Sequence, residues 1–294
     1  MGIQPEFFRG LALQAGSSLI FQTTNPNFAL LKNRNLLSHQ ATKLIPQTGG
    51  SIGHKFIDLS TVDSTNNFAM AMVHAGQAEH GMAIFTHEQT RGKGQREKAW
   101  LSNPGENITM SVILAPQESF SRQHFLLSMG MAAAGLDFIR EYIKEDLAIK
   151  WPNDLYWRDQ KMGGILIENV FRGNELVCSV AGFGININQT EFDQRILNPV
   201  SFRKVTGLSY DPRELGKILC GHIEKKYEGL RSQDPKEIHD YYNEQLYKRK
   251  NKVGLKKGNK KFTATISSVN MDGQLITESP PGIYNYAEVE WMVD

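Results

Sequence analysis

The most informative segments of this sequence are K-W-P-N-D at 150–154 and K-M-G-G-I-L-I-E at 161–168. Pro152 disfavours a helix at Trp151, so the first segment is predicted to be a bend or a strand end. The apolar residues of the second segment predict a buried strand with Lys161 at its start. Its two glycines remove side chains where another backbone or a ligand comes close, and a lysine beside bare backbone suits a negatively charged oxygen. Taken alone, this motif is explained equally well by a surface lysine that precedes a strand containing two glycines.

A glycine-rich loop is predicted upstream, in E-Q-T-R-G-K-G-Q-R-E-K-A-W at 88–100. Gly92 and Gly94 allow tight backbone curvature while Lys93 and Arg96 supply positive charge, so the loop can wrap an anion. The spacing fits neither G-x-x-x-x-G-K-[ST] nor G-x-G-x-x-G, so the usual nucleotide-binding motifs do not apply. Taken alone, the string is more typical of a solvated surface turn.

Together with D-S-T-N at 63–66 and G-F-G-I-N-I-N at 182–188, these segments resemble the motifs of the biotin protein ligases, and they stand in the family's order. The resemblance extends over residues 54–294 and is to the monofunctional form, without an N-terminal DNA-binding domain. It implies a two-step reaction. The biotin carboxylate attacks the α-phosphorus of ATP to give biotinyl-5′-adenylate, and a lysine amine of a biotin carrier domain then takes the biotin in an amide bond.

The predicted fold class is α+β, with a mixed, mostly antiparallel sheet packed with helices, as in class II synthetase catalytic domains. Short turns between successive strands, without crossover helices, indicate the antiparallel character. The predicted regions are a poorly structured extension at 1–50, a biotin- and ATP-binding catalytic domain at 51–247 and a small C-terminal β-barrel at 248–294. The main predicted strands lie at 56–59, 81–86, 108–114, 147–150, 164–171 and 176–185. One predicted helix begins after Asp63 or Ser64, and others span 125–143, 212–230 and 235–247, with Gly130 and Gly135 as close-packing points in the first of these three. Asp272-Gly273 predicts a hairpin turn between C-terminal strands at 262–269 and 274–277.

Composition is that of a soluble globular protein, with 40% hydrophobic and 22% charged residues and a formal net charge of +2. This balance gives no argument for nucleic acid. Cys178 and Cys220 are the only cysteines and form no C-x-x-C motif, which predicts reduced thiols, a reducing compartment and a cytoplasmic location. No apolar run approaches the ~18 residues of a membrane span. Residues 248–261 are rich in Lys and Arg, which predicts a solvated boundary or, with less weight, a surface that steers an acidic partner.

The resemblance assigns the catalytic role first to Lys161, which matches the family lysine that bridges the biotin carboxylate and the phosphate. Asp154 and Lys93 are the other catalytic candidates. Asp154 orients either the adenylate or the incoming amine, and both alternatives are open. Both steps gather negative charge on oxygen, so fixed cations aimed at those oxygens are what the chemistry requires.

The remaining site residues also follow from the resemblance. Hydroxyls and amides suit the ureido ring of biotin because an unpaired buried polar group is costly. Two assignments have ordinary alternatives: helix capping for Ser64 and Thr65, and core packing for Trp100, whose family counterpart lies against adenine. Asn186 is assigned to the adenine edge, although Asn188 is close enough to confuse the choice. The biotin-binding candidates are Ser64, Thr65, Asn66, Gln89, Gly92, Lys93, Gly94, Gln95, Lys161 and Gly164. The ATP or adenylate candidates are Lys93, Gln95, Arg96, Trp100, Asp154, Lys161 and Asn186.

The loop departs from the family pattern, which commonly has R-G-R where this chain has Lys93, Gly94 and Gln95. Lys93 keeps a charge but loses the bidentate fork of arginine. Gln95 loses the charge of the arginine that is thought to retain the adenylate, and Arg96 could replace it by a shift of one residue.

The implied substrates are biotin and ATP with Mg²⁺, with no tightly bound cofactor, and the metal ligands are left unknown. The expected partner is the biotin carrier domain of a biotin-dependent carboxylase; nucleic acid and membrane are not expected, and a homodimer is left open. A lipoate–protein ligase is the nearest alternative enzyme, but K-W-P-N-D, G-x-G-I-N and the predicted barrel disfavour it. A biotin-sensing regulator lacks a DNA-binding pattern in residues 1–50, and Lys161 and Asp154 disfavour an inactive relative.

Overall fold

A computed structural model describes residues 50–96, 98–116, 124–232 and 234–292. The predicted N-terminal extension therefore lies outside the described residues, apart from Gly50. The strands are β1 Phe56–Val62, β2 Ala83–Gln89, β3 Asn107–Leu114, β4 Leu147–Lys150, β5 Asp154–Trp157, β6 Gln160–Arg172, β7 Glu175–Asn186, β8 Lys252–Lys257, β9 Lys260–Val269, β10 Leu275–Glu278, β11 Pro281–Tyr284 and β12 Glu290–Trp291. The helices are α1 Thr65–His74, α2 His124–Tyr142, α3 Phe202–Thr206, α4 Pro212–Ser232 and α5 Pro235–Glu244.

The main sheet has seven strands in the order β1-β2-β3-β7-β6-β5-β4. Only β1 and β2 pair in parallel, and they are joined through helix α1, as a parallel connection requires. The other neighbouring strands pair antiparallel. The prediction of a mixed, mostly antiparallel α+β sheet is confirmed.

Helices α2 and α4 pack on the main sheet and on each other. Two glycines of α2 mark the closest approaches, as predicted. A Cβ at Gly130 would stand 2.8 Å from Leu230 of α4, and one at Gly135 would stand 2.8 Å from Leu155 of β5. Because α2 is apolar on nearly every side, it is buried along most of its length.

Helix α1 packs against β2, β3 and β7 and forms a second apolar cluster with them. Ala69 and Val73 of the helix are buried in this cluster beside Cys178 of β7. Burial raises the pKa of the Cys178 thiol to about 12, and that of the Cys220 thiol likewise to about 12. Both cysteines are free and buried in the core.

The C-terminal strands form a second sheet, in the order β11-β10-β9-β8-β12. Its edge strands, β11 and β12, are not paired with each other among the described residues, so the sheet is open and a closed barrel is not confirmed. The predicted hairpin at Asp272-Gly273 is present, with Gly273 in the left-handed region at φ +81. Trp151 donates a hydrogen bond from Nε1 to the Gly273 carbonyl at 2.8 Å, so the K-W-P-N-D segment is anchored on this sheet.

Some elements differ from the predicted ones. Strand β5 and helix α3 were not predicted, because each is too short to carry a period of its own and forms only between its neighbours. The helix predicted at 235–247 ends at Glu244, since Gln245 and Tyr247 form backbone hydrogen bonds with Ile149 of β4. None of the helices in the described part of the chain is long and apolar enough to cross a membrane.

Candidate active site

Three motif glycines form a bare strip on one face of the main sheet. The register sets Gly164 of β6 opposite Gly184 of β7, and Gly182 lies two residues away on β7, so all three face the same side. A Cβ at Gly184 would stand 2.5 Å from the Trp100 indole, and a Cβ at Gly182 would collide with the Asn66 amide. Because no side chain occupies the strip, the ring and the amide lie directly on the backbone. We refer to these three residues as the glycine strip.

Lys161 and Asp154 meet at the end of the glycine strip. Lys161 Nζ lies 2.7 Å from Asp154 Oδ1, and each side chain is 29% exposed. The β5–β6 pairing brings them together, because it sets Asp154 directly opposite Gly164. Lys161 is also tied down by its backbone, which donates to the Asn198 carbonyl and accepts from Val200 N. Two of the predicted catalytic groups therefore form one partly buried ion pair.

Polar side chains from α1, β2 and β3 gather beside the strip. Gln89 Oε1 accepts from Thr65 N at 2.8 Å and lies 3.2 Å from Thr65 Oγ1. The Ser111 hydroxyl lies 2.7 Å from Thr65 Oγ1 and 2.6 Å from Asn66 Oδ1. Ser64 is the buried N-cap residue of α1, but its side chain makes no capping hydrogen bond. Ser111 had not been predicted, because a lone serine in a buried apolar strand carries no motif.

The glycine-rich loop reaches this cluster through Glu168. Lys93 Nζ lies 3.3 Å from Glu168 Oε1, and Asn66 Nδ2 donates to Glu168 Oε2 at 2.7 Å. Glu168 closes the K-M-G-G-I-L-I-E motif, but the sequence alone gave no reason to single it out. The two ends of the loop are joined by a backbone hydrogen bond, in which Trp100 N donates to the Gly92 carbonyl at 2.9 Å. In this state Lys93 and Lys161 both face a carboxylate, so an anionic ligand would compete for each cation.

The two predicted adenine contacts differ in their surroundings. Trp100 lies on Gly184, and its Nε1 is buried without a hydrogen-bond partner among the described residues. Asn186 is buried and donates from Nδ2 to the Val200 carbonyl at 3.0 Å, while Asn188 Nδ2 donates to the Tyr210 carbonyl at 2.7 Å. Both asparagines are therefore engaged with backbone, and the assignment of Asn186 to adenine stays a prediction.

Gln95 and Arg96 turn toward the C-terminal sheet. Gln95 Oε1 accepts a hydrogen bond from the Tyr286 hydroxyl. The Arg96 guanidinium lies 4.9 Å from the centre of the Tyr286 ring and 3.5 Å from Glu290 Oε1. Tyr286 had not been predicted, because nothing local in the sequence places residue 286 beside residue 95.

A cavity of about 950 Å³ lies under the loop. Its wall includes neither Lys161 nor Trp100, which lie on the glycine strip. The cavity therefore takes in the loop half of the predicted site. Residues of the loop, of β6 and of the C-terminal region line the cavity, among them Gly92, Lys93, Gly94, Gln95, Arg96, Glu168 and Tyr286.

Lys150, the first residue of K-W-P-N-D, lies in an aromatic enclosure. Its Nζ is 4.8 Å from the centre of the Tyr156 ring, 5.4 Å from that of Trp291 and 5.9 Å from that of Tyr247. Burial lowers the pKa of this amine to about 8. Lys150 thus links the main sheet to strand β12 by cation–π contacts.

In the described residues no three His, Cys, Asp or Glu side chains are grouped so as to hold a metal ion.

Part of the chain is similar in sequence to known ligases. Residues 59–186 match the biotin/lipoate A/B protein ligase family. The chain is 27% identical over 207 residues to the bifunctional ligase/repressor BirA of Escherichia coli (strain K12), covering 69% of this chain and 61% of that protein. It is 29% identical over 177 residues to the biotin--[acetyl-CoA-carboxylase] ligase of Paracoccus denitrificans, covering 55% of this chain and 68% of the relative. The chain thus spans less than two thirds of the Escherichia coli relative's length.

Solved structures show the same fold. The biotin protein ligase from Aquifex aeolicus, in complex with biotin and ATP, matches with a TM-score of 0.69 at 21% identity and covers 82% of this chain and all of that one. Residues 59–186 are thus similar to the biotin/lipoate A/B protein ligase family, and the fold is similar to that of a biotin protein ligase. The named relatives and the solved structure support the resemblance to biotin protein ligases that the sequence motifs indicate.

Proposed function

We propose that this protein is an ATP-dependent biotin protein ligase, which makes biotinyl-5′-adenylate and transfers biotin to a lysine of a biotin carrier domain. The observation that carries the proposal is the Lys161–Asp154 pair, at 2.7 Å, beside backbone left bare by Gly164. A compact cation at such a place can reach two oxygens at once, one on a carboxylate and one on a phosphate. The similarity to biotin ligases supports the assignment.

In the first step a biotin carboxylate oxygen attacks the α-phosphorus of ATP. The new bond is P–O, the bond to the β-phosphate bridging oxygen breaks, and pyrophosphate leaves with the electron pair. Lys161 stabilises the charge that gathers on the oxygens between the two reactants. Lys93 adds a second cation from the loop once the incoming phosphate displaces Glu168.

The ureido ring of biotin is held by the cluster beside the strip. Thr65, Gln89 and Ser111 already form a connected set of donors and acceptors, and Asn66 lies over Gly182. A neutral ring with two N–H groups and one carbonyl can replace these mutual hydrogen bonds one for one, which avoids an unpaired buried group.

In the second step the acceptor lysine nitrogen attacks the carbonyl carbon of the mixed anhydride. The C–O bond to the phosphate breaks, AMP leaves with the electron pair, and the proton of the attacking amine passes to solvent water. Asp154 is suited to orient that amine because its carboxylate lies beside Lys161 and is partly open to solvent. The alternative role of Asp154 is to orient the adenylate. The KM for the acceptor lysine, measured in an Asp154 variant, distinguishes these two roles.

The proposal extends to the predicted partners and surroundings. ATP enters as its Mg²⁺ complex, the acceptor is the carrier domain of a biotin-dependent carboxylase, and the reaction takes place in the cytoplasm without nucleic acid. Whether the enzyme acts as a homodimer is left to a sedimentation measurement. In this chain an open C-terminal sheet stands at the position of the small C-terminal barrel that the resemblance implies.

The test is incubation with MgATP, a biotin carrier domain and either biotin or lipoate, followed by mass spectrometry of the acceptor lysine. Biotin attached to one lysine is expected, with no product from the Lys161→Ala variant. Lipoate transfer without biotin transfer would assign the protein to the other branch of the family.

A further inference from the structure

The glycine-rich loop and the C-terminal sheet meet at two neighbouring loop residues. The Tyr286 hydroxyl donates to Gln95, the Arg96 guanidinium covers the face of the same ring at 4.9 Å, and Arg96 also pairs with Glu290 at 3.5 Å. These are three different kinds of contact within one small area. Each is partly exposed and therefore weak alone, but they act together on the same turn of backbone.

The backbone of Arg96 is shaped for this contact. Its φ of +52 lies in the left-handed region, which is uncommon for a residue other than glycine. A conformation of this kind persists where surrounding contacts stabilise it. Here it aims the guanidinium at Tyr286 and Glu290, so the charge that could have replaced the missing arginine at position 95 is engaged on the C-terminal sheet.

The sheet side of the contact is itself held firmly. The Tyr286 ring meets Trp151 edge-on, with 6.0 Å between ring centres, and Trp151 is buried and bonded to the Gly273 carbonyl. Trp151 belongs to the K-W-P-N-D segment that also carries Asp154. Trp151 therefore connects the loop contact at Tyr286 to the segment that carries Asp154.

We propose that Tyr286 and Glu290 are positioning residues that hold the glycine-rich loop closed over the reaction intermediate. This inference rests on the proposed function. An acyl-adenylate must stay on the enzyme until an acceptor lysine arrives, and the loop and Tyr286 both line the cavity that takes in the loop half of the site. In a chain with an uncharged residue at position 95, the contact between loop and sheet takes the place of a direct ionic hold on the phosphate.

The first measurement needs no catalytic activity. Trypsin cleaves after the basic residues of the loop only when the loop opens, and the site-specific cleavage rate can be followed by mass spectrometry. Tyr286→Leu is expected to raise that rate about tenfold, which corresponds to the loss of contacts worth about 1.4 kcal/mol together. Tyr284→Leu is the matched control, because Tyr284 lies on the same sheet and packs on Phe262 instead.

The second measurement is the dissociation rate of pre-formed biotinyl-adenylate. Tyr286→Leu is expected to raise it about tenfold, whereas the control Tyr284→Leu is expected to leave it at the parent rate. Charge exchange is the sharper form of the test. Arg96→Glu and Glu290→Arg should each open the loop, and the double variant should restore both protection from trypsin and retention of the adenylate. Because Arg96→Glu removes one trypsin site, cleavage is compared only after Arg91, Lys93 and Lys98 in all these variants.

The outcomes separate the two proposals. If the parent forms no biotinyl-adenylate, the proposed function fails, and the trypsin rates still judge the loop contact. Unchanged cleavage in Tyr286→Leu, or a double charge variant no better than the singles, overturns the positioning role. Faster cleavage with an unchanged adenylate dissociation rate overturns it as well, since the contact would then hold the loop without retaining the intermediate.

Discussion

Lys161 and Asp154 fill the space that a side chain at Gly164 would occupy. A Cβ built there would stand 2.9 Å from Asp154 Oδ1 and 3.5 Å from Lys161 Nζ. The lysine of one motif, the carboxylate of a second and the glycine between them are thus one geometric unit. An incoming anion has to share the lysine with Asp154, and this shapes the first prediction.

Lys161→Ala should abolish adenylate formation and leave the fold intact. The side chain supplies the fixed cation of the pair, so its removal should lower the rate of pyrophosphate release by a factor of ~100 or more. Pyrophosphate is measured with biotin and MgATP, and circular dichroism checks the fold. Release at the parent rate would show that Lys161 has been assigned wrongly.

Gly184→Ala should damage the site through packing alone. The new methyl group would meet the Trp100 indole, which lies 2.5 Å from the Cβ position, so the ring must leave the strip. We expect weaker ATP binding, measured as a higher KM, and a change in tryptophan fluorescence. The matched control is Gly221→Ala in α4, where nothing lies within 4 Å of the Cβ position. Equal effects of both variants would contradict the role of the strip.

Gln95→Arg should slow the loss of biotinyl-adenylate. A charge-assisted contact to the phosphate contributes roughly 1.5 to 3 kcal/mol, so the parent enzyme should release more free intermediate and label nearby lysines nonspecifically. The dissociation rate is measured in parent and variant. Equal rates would mean that Lys93 or Arg96 already makes the contact when the intermediate is bound.

Lys150 should make the stability of the fold depend on pH. Burial lowers its pKa from the usual 10.5 to about 8. The nearby Asp154 raises this pKa and the nearby Lys161 lowers it, each by less than burial does. Between these two values the unfolded chain binds more protons, so this residue's contribution to the free energy of unfolding should rise with pH, by at most about 1.4 kcal/mol per unit. Denaturant unfolding of parent and Lys150→Met at several pH values checks this; a constant difference between the two would contradict it.

Residues 1–50 should be dispensable for catalysis and should not bind DNA. A variant that begins at Ser51 keeps Ile52, which is buried in the core, and Gly53, whose N–H donates to the Gly81 carbonyl at 2.7 Å. We expect this variant to retain biotin transfer. A variant that begins at Lys55 loses the burial of Ile52, about 1.5 to 3 kcal/mol, and should unfold at lower denaturant. Loss of transfer by a folded Ser51 variant would show that the extension is needed.

Local patterns predicted most of the main sheet and the long helices. The strand at 147–150 and helix α2 carry enough apolar residues in the right period to be recognised without their neighbours. Strand β5 could not be recognised in this way, because four residues hold no period and its pairing with Gly163 and Gly164 is a property of the hairpin. The sequence also could not predict whether the C-terminal sheet closes into a barrel, because closure depends on whether its two edge strands pair.

The kinds of groups at the site and their order along the chain can be recognised without a structure: a lysine beside glycines, a charged glycine-rich loop, and hydroxyls and amides at the start of α1. Which of these groups touch depends on the tertiary fold. It put Asp154 on Lys161, Glu168 between Lys93 and Asn66, and Tyr286 on the loop at Gln95. The reason is physical. Residue types and turns are encoded locally, whereas strand register and the docking of one sheet on another are settled by packing between segments far apart in the chain.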